Sequence, residues 1–433
     1  MPSFAASYFP VFFIRIHTLS VNNMQHIHEK NDIVVIGGGV FGNAIAYYYT
    51  RNNPGKKLVL LERNSLCNAA TSRAAALMTR IRSKKHFIPL SLETYRAIAD
   101  MEGQLGESMD VKYVGVMHLA ASEESVVALD ELMKVAEEFN EPADYISKEE
   151  AHKKSPWLKT DEAKKIAFMP GEAYCDPYLL GTFFARCAKM QGADIRQHVE
   201  VEEVIMEGNT AVGVPTSQGE IYADKVIIAA GAWSPVYAAK AGIGLSMAPV
   251  RSQYWITEKN ALFPVDSPIV FLPDARTYAR PESGSLLFGI RESKSLAVSP
   301  KNIPPDISHF CFSPDNGMND LSEIIDQLAR FFPKVLDVGL KHYIAGFSGY
   351  TPDNNLSMGI VPGIDNLLLA TGCAGAGISV CGGVGLAFAE MAAGRDNPFD
   401  FSHFNIDRFG AVDPFDSEWL QKCAFARSNK KSG

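Results

Sequence analysis

Gly37, Gly39 and Gly42 stand in the spacing G-x-G-x-x-G within "DIVVIGGGVFGNAIAYYY", between a short apolar run and a longer alanine-containing one. In such a turn the first glycine makes the bend, the second lets the backbone approach a pyrophosphate, and the third lets a helix pack close to its strand. The N–H groups of that helix's first turn, at Val40 and Phe41, then face the phosphates. Glu62 follows about twenty residues later, at the end of "KKLVLLER", where ribose recognition requires an acid. A carboxylate there accepts both hydroxyl protons and repels a 2′-phosphate, so NADP is disfavoured while NAD and FAD both remain.

These residues need a βαβ unit to position them. Residues 34–36 read as a buried strand, 40–50 as an apolar helix, and 56–63 as a second strand. Three- and four-residue apolar spacing predicts helices over 86–106 and 122–139, with a strand over 111–120 between them. In "CDPYLLGTFFARCAKMQG", Asp176 is the expected N-cap, Pro177 the first helical residue and Gly192 the stop. Short strands follow at 198–206 and 210–233, then a mostly antiparallel β region over about 249–342 with one helix at 318–332. The stretch 366–394 is again strand, glycine turn and helix.

The chain has 433 residues, 47% hydrophobic, enough for two intertwined domains. A net charge of -8, with "RIRSKK" as the one compact basic cluster, argues against nucleic acid as a partner. Seven cysteines without a C-x-x-C pair read as reduced thiols of a cytoplasmic protein, and no zinc-type spacing occurs, so no metal is expected. Residues 1–30 are expected to be a poorly ordered extension, in which Met24 would serve as a start, and no segment reads as a membrane span.

Four stretches in order, "VVIGGGVFG…LLER", "ATSRAAALMTR", "DKVIIAAGAWS" and "GYTPDNNLSMGIVPGIDNLLLATGCAGAGI", resemble the FAD-dependent D-amino-acid oxidase superfamily. Within it they are most similar to the branch of sarcosine oxidase, glycine oxidase and dimethylglycine dehydrogenase, over residues 32 to about 400. The resemblance implies an α/β fold: a Rossmann-like FAD-binding domain with a substrate domain of mainly antiparallel sheet plus helices. It divides the chain into FAD-binding segments 31–95, 170–245 and 343–400, substrate-binding segments 96–169 and 246–342, and a C-terminal tail 401–433.

It also implies site residues. Arg63, Thr71, Ser72 and Arg73 would lie by the pyrophosphate and flavin edge, and Ala230, Gly231 and Trp233 by the adenine half. Gly375, Ala376, Gly377 and Ile378 would form a helix start against the flavin pyrimidine ring, where backbone donors and the helix dipole steady negative charge. Family members oxidise a carbon–nitrogen bond, with hydride passing to flavin N5 and the imine hydrolysing in water, so a positioned neutral amine is needed more than a base.

Departures from the family pattern fall at the substrate end. Ser348 stands at or beside the arginine that clamps carboxylate in the glycine oxidase branch, and also where other relatives attach flavin through cysteine; Arg73 stands near the histidine some relatives use for attachment. Noncovalent FAD is therefore expected. Arg291 is the favoured substrate cation, ahead of Arg80, Arg82 and Arg251, and Tyr254 is expected to wall the cavity. Leu287 replaces a lysine that promotes reaction with oxygen, so O₂ and another electron acceptor both stay open. The expected activity is oxidation of a small amine or amino acid, secondary or N-methylated ones included. The alternatives are a hydroxy-acid dehydrogenase on the same fold and a flavin-carrying subunit of a larger dehydrogenase.

Overall fold

The computed structural model describes residues 29–430. The extension expected over 1–30 lies outside that range, except that Glu29 and Lys30 already belong to the first strand. The chain opens with β1 (Glu29–Ile36), α1 (Val40–Asn52) and β2 (Leu58–Glu62), the expected βαβ unit. Then come α2 (Ile88–Leu105), β3 (Val116–Ala120), α3 (Glu123–Glu138), β4 (Lys165–Met169), α4 (Pro177–Met190), β5 (Asp194–Gln197) and β6 (Gly219–Ile228). The second half adds β7 (Ala248–Thr257), β8 (Ile269–Leu272), β9 (Thr277–Glu282), β10 (Ser285–Ile290), α5 (Pro314–Ala329) and β11 (Leu340–Tyr350). It closes with β12 (Ser357–Ile360), β13 (Leu367–Thr371), α6 (Gly377–Ala392) and α7 (Ser417–Ser428).

The main path of the first sheet runs β12-β13-β6-β1-β2-β5, parallel except for the edge strand β12, and two further strands, Thr210–Thr216 and Ile205–Glu207, join it antiparallel beside β6. Its strands are apolar on both faces, as a covered parallel sheet demands: Ile33 and Val35 pack with α1, while Val34 and Ile36 join Val59, Leu61 and Val226 on the other side. Ile36 is in register with Leu61 and Ile228, and Ile228 with Leu369, so four strands end at one level. A crevice outside those carboxyl ends is where such sheets take ligands.

α1 is buried from Val40 to Thr50 because α4 and α6 pack on either side of it. The α4 start is capped by Asp176, which accepts from the N–H groups of Tyr178 and Leu179, and Gly192 ends the turn at φ +99°.

The second sheet runs β11-β7-β10-β9-β8-β3-β4 and is antiparallel apart from the β8–β3 pair. Alternation along β7 sets its two faces. Gln253 and Trp255 turn toward α5 and its surroundings, with Trp255 stacked on Phe288, while Ser252 and Tyr254 look into the crevice.

Three sequence expectations shift. β11, expected from residue 343 to belong to the FAD-binding part, is instead an edge of the second sheet, because its register with β7 from Ala248↔Tyr350 to Thr257↔Leu340 outcompetes any pairing across the crevice. The strand expected over 198–206 shrinks to Ile205–Glu207: Val199, Val201 and Val204 are buried, but the segment finds only an isolated bridge, Val201↔Thr216. The tail folds into α7, which packs on β7.

Among the described residues no helix is long and apolar enough to cross a membrane, and no group of three or more His, Cys, Asp or Glu could hold a metal ion.

Candidate active site

A long cavity lies between the strand ends of the first sheet and the inner face of the second. At one end is the glycine turn. Gly37 has φ +108°, and a Cβ built there would fall 2.6 Å from the Ala229 carbonyl oxygen, so both conformation and contact exclude a side chain. A Cβ on Gly42 would fall 2.0 Å from the Gly37 carbonyl oxygen. Gly42 thus sits beneath the turn and does not line the cavity. Gly39 does: the nearest atom to its Cβ position is Thr71 Oγ1 at 3.5 Å, and the rest of its surroundings is the open crevice.

Thr71 Oγ1 accepts the Val40 N–H at 3.0 Å, which ties the following loop to the start of α1. Val40 and Phe41 both line the cavity. Glu62 faces it too, and its carboxylate accepts the N–H groups of Gly38 at 2.8 Å and Asn64 at 2.7 Å. It therefore braces the glycine turn as well as presenting acceptor lone pairs to the crevice, a double role that spacing alone does not disclose.

Beside it, the Arg63 guanidinium lies 4.9 Å over the Trp233 ring, and Ala230 and Gly231 line the same region. Arg63 Nε and Trp233 Nε1 are buried without a hydrogen-bond partner in the protein. Buried donors of this kind call for a ligand or ordered water.

Past Thr71, Arg73 donates to the carbonyls of Asn68 at 2.5 Å, Ala69 at 3.2 Å and Ile307 at 2.6 Å, which locks the loop between the two sheets. Ser72 is not brought to the cavity; it is exposed and donates to Ala69 O at 3.3 Å.

At the far end Gly375, Ala376, Gly377 and Ile378 line the cavity at the start of α6, a helix with no side-chain cap and no acidic residue in its first turn. Its open N–H groups carry the positive end of the helix dipole. Facing them are Tyr254 and Ser348 from β7 and β11, and Arg291 just beyond β10. Arg291 is buried, not solvent-facing as a strand end would suggest, and burial brings its guanidinium down to about 10, which leaves it cationic at neutral pH. Burial raises Tyr254 to about 12, so it stays a neutral phenol.

Of the other cationic candidates, Arg82 is in the cavity, also lowered by burial to about 10. Arg80 is not: it pairs with Glu141 at 3.1 Å and covers the Tyr95 ring. Arg251 pairs with Asp320 and faces Glu292 at 3.6 Å, also outside the cavity. Sequence reading did not find Thr79, Tyr278, Tyr350, Ser379, Arg427 and Lys430, which complete this end. The only signal for the last two was a basic "ARSNKK" tail, which by composition is an ordinary solvated end.

The donor set suits an adenine-linked flavin. A cradle at Gly39 that a side chain would fill, orphaned donors at Arg63 and Trp233, and an uncapped helix start at the opposite end all open into one continuous cavity. Fold and cavity together define a two-sheet dinucleotide-cofactor oxidoreductase.

The chain belongs to the family of FAD dependent oxidoreductases (DAO), whose model matches residues 32–391. It is 27% identical over 386 residues to 4-methylaminobutanoate oxidase (formaldehyde-forming) of Paenarthrobacter nicotinovorans, covering 87% of this chain and 45% of that protein. It is 26% identical over 390 residues to glycine oxidase of Bacillus subtilis (strain 168), covering 88% and 98%. The chain thus spans about half the length of the first of these relatives and nearly all of the second. Among solved structures, L-proline dehydrogenase from P. horikoshii superposes with TM-score 0.77 at 23% identity, covering 88% and 98% of the two chains.

Proposed function

We propose that the protein oxidises the C–N bond of a small amine or amino acid, secondary and N-methylated ones included, with noncovalently bound FAD. The observation that carries this reading is the meeting, in one cavity, of the glycine-turn cradle and an enclosed cationic end at the α6 N-terminus. Support comes from the relatives, a 4-methylaminobutanoate oxidase, a glycine oxidase and an L-proline dehydrogenase.

FAD, when bound, supplies the hydride acceptor. Gly37, Gly39, Val40, Glu62, Arg63, Ala230, Gly231 and Trp233 would hold its dinucleotide part, and Gly375 to Ile378 its ring. The protein's own contribution is positioning. Arg291 and Arg82 attract and orient an acidic group; Tyr254, Tyr278 and Ile290 wall the cavity and limit water; the α6 N-terminus favours negative charge beside it. The substrate loses a hydride and a proton, and water then splits the imine into a carbonyl compound and an amine.

The discontinuous division into FAD-binding and substrate parts belongs to the same proposal, with β11 and the tail assigned to the substrate side. So does a cytoplasmic location, which seven free cysteines support. O₂ or another acceptor takes the electrons. Turnover with a dye acceptor tests the reaction itself: one carbonyl product and one amine should appear for each dye molecule reduced by two electrons. Reduction of dye without release of an amine would overturn the reading.

A further inference from the structure

An amine in neutral water is an ammonium, and hydride leaves the neighbouring carbon readily only once the nitrogen has a free electron pair. In an enclosed site the proton so released needs an acceptor. Among the described residues that line the cavity there is no histidine, and the one carboxylate, Glu62, stands at the opposite end by the glycine turn. Burial brings the Arg82 and Arg291 guanidinium groups only to about 10, with Glu172 raising the first and Tyr350 the second, so both keep their protons at neutral pH. Burial also raises the phenols of Tyr254, Tyr278 and Tyr350, which stay protonated.

Cys373 and Lys430 remain at the α6 end. The Cys373 sulfur packs against the first turn of α6, 3.8 Å from where a Cβ on Gly377 would stand, and a thiolate is the weaker base. Lys430 comes from the tail, beyond the residues 32–391 that the family model matches. The chain is pinned just before it: Asn354 donates to Ala426 O at 2.8 Å, Arg276 to Ser428 O at 2.6 Å, and Arg427 pairs with Glu292 at 2.5 Å. Lys430 Nζ then donates to Ala374 O at 2.9 Å and lies 3.6 Å from where a Cβ on Gly375 would stand, at the turn that starts α6. That bond uses one N–H, so a neutral Lys430 still has its lone pair.

We propose that Lys430 is the base of the reaction: its Nζ takes the proton of the substrate ammonium, the N–H bond breaking as Nζ–H forms and the electron pair staying on the substrate nitrogen. This rests on the C–N reading above and assigns the proton that the substrate loses.

The groups around Lys430 suit it to this exchange. Burial holds its ammonium well below the usual lysine range, with Arg291, Arg82 and Lys84 pushing the same way and Cys373 opposing them. Tyr350 and Arg427 also border this end, the first a neutral phenol and the second paired with Glu292. A substrate ammonium brought beside Lys430 enters the same field and loses the same solvent, so the two amines are matched and the proton passes between them. Protonation of Lys430 removes the base, so flavin reduction slows as pH falls.

The test is anaerobic rapid mixing of FAD-loaded full-length protein with an amine or amino acid that bleaches the wild-type flavin, from mildly acidic to alkaline pH. The wild-type limiting rate should rise with pH through one ionisation below the usual lysine range. Lys430→Met and Lys430→Arg should both be slower at neutral pH by about 10²-fold, because arginine keeps the charge and cannot accept a proton. Both should recover toward wild type in alkali, where the substrate arrives as neutral amine. Without substrate, the wild-type flavin band should shift with pH as Lys430 titrates, and the shift should be absent from Lys430→Met.

A wild-type rate at neutral pH in either variant would overturn the base. So would a rate that stays low at every pH, which assigns Lys430 a structural role, or a pH profile kept in Lys430→Met and lost in Cys373→Ser. Bleaching of wild type and Lys430→Met alike fails the base alone. If no amine or amino acid bleaches the wild type, the C–N reading itself has failed and the base falls with it.

Discussion

Arg427 donates its guanidinium to the Glu292 carboxylate at 2.5 Å with both side chains buried, and this pair joins α7 to the chain just after β10. Glu292 also faces Arg251, which pairs with Asp320 on α5. Two arginines and two acids thus close a charge-balanced cluster behind the cavity wall, and the tail is held as part of the substrate side.

Removing one partner of a buried pair leaves the other charge uncompensated, at a cost of about 3–5 kcal/mol. Glu292→Ala should lower the urea midpoint accordingly and release the tail to limited proteolysis before the FAD-binding sheet is cut. Arg427→Met should cost less, because Arg251 still faces Glu292. Equal, negligible losses in both variants would contradict the clasp.

The glycine turn makes two opposite expectations. Gly42→Ala places a Cβ against the Gly37 carbonyl and should lower stability by about 1–3 kcal/mol, or prevent folding. Gly39→Val meets only Thr71 nearby, so the apoprotein should keep its thermal midpoint while losing bound FAD, read as the visible-to-ultraviolet absorbance ratio of the purified protein. A Gly39→Val protein that stays fully yellow would contradict the assignment of the cradle.

Glu172 accepts the N–H groups of Arg80 at 2.5 Å and Ile81 at 3.0 Å, which shapes the loop that delivers Arg82. Burial raises its carboxyl to about 7 despite those donors and the neighbouring arginines. The folded value lies above the unfolded one, so the protonated acid's contribution is full below the unfolded value of 4.5 and is lost as pH rises through about 7. Stability measured by urea unfolding should fall between those limits by an amount on the order of a few kcal/mol, and Glu172→Gln should flatten that part of the profile. An unchanged slope in the variant would assign the dependence elsewhere.

Neither a histidine nor a cysteine stands at the two places that the family resemblance associates with flavin attachment: Arg73 spends its guanidinium on three backbone carbonyls, and Ser348 is on β11. Acid precipitation should therefore leave all yellow colour in the supernatant. Colour retained in the washed pellet would contradict noncovalent binding.

The sequence disclosed what depends on local pattern. The run from Ile33 to Ile36, the glycine turn and the capped α4 are written in apolar spacing, glycine placement and Asp176–Pro177, and they fold as read. It disclosed less where tertiary partners decide. β11 reads as a strand, yet nothing in "HYIAGFSGYT" says which sheet it will join until β7 is beside it. Arg80, Arg82 and Arg291 look alike in sequence, and only packing separates the one neutralised by Glu141 from the two sent into the cavity. Lys430 lines the cavity on a tail seated by the Arg427–Glu292 clasp, a contact between residues more than a hundred positions apart.

The most direct measurement is anaerobic mixing of the FAD-loaded protein with amino acids, N-methyl amino acids and hydroxy acids while the flavin band is followed. Bleaching by amines or amino acids, and not by hydroxy acids of the same carbon skeleton, is the expected result. Bleaching by hydroxy acids alone would contradict the proposed C–N chemistry.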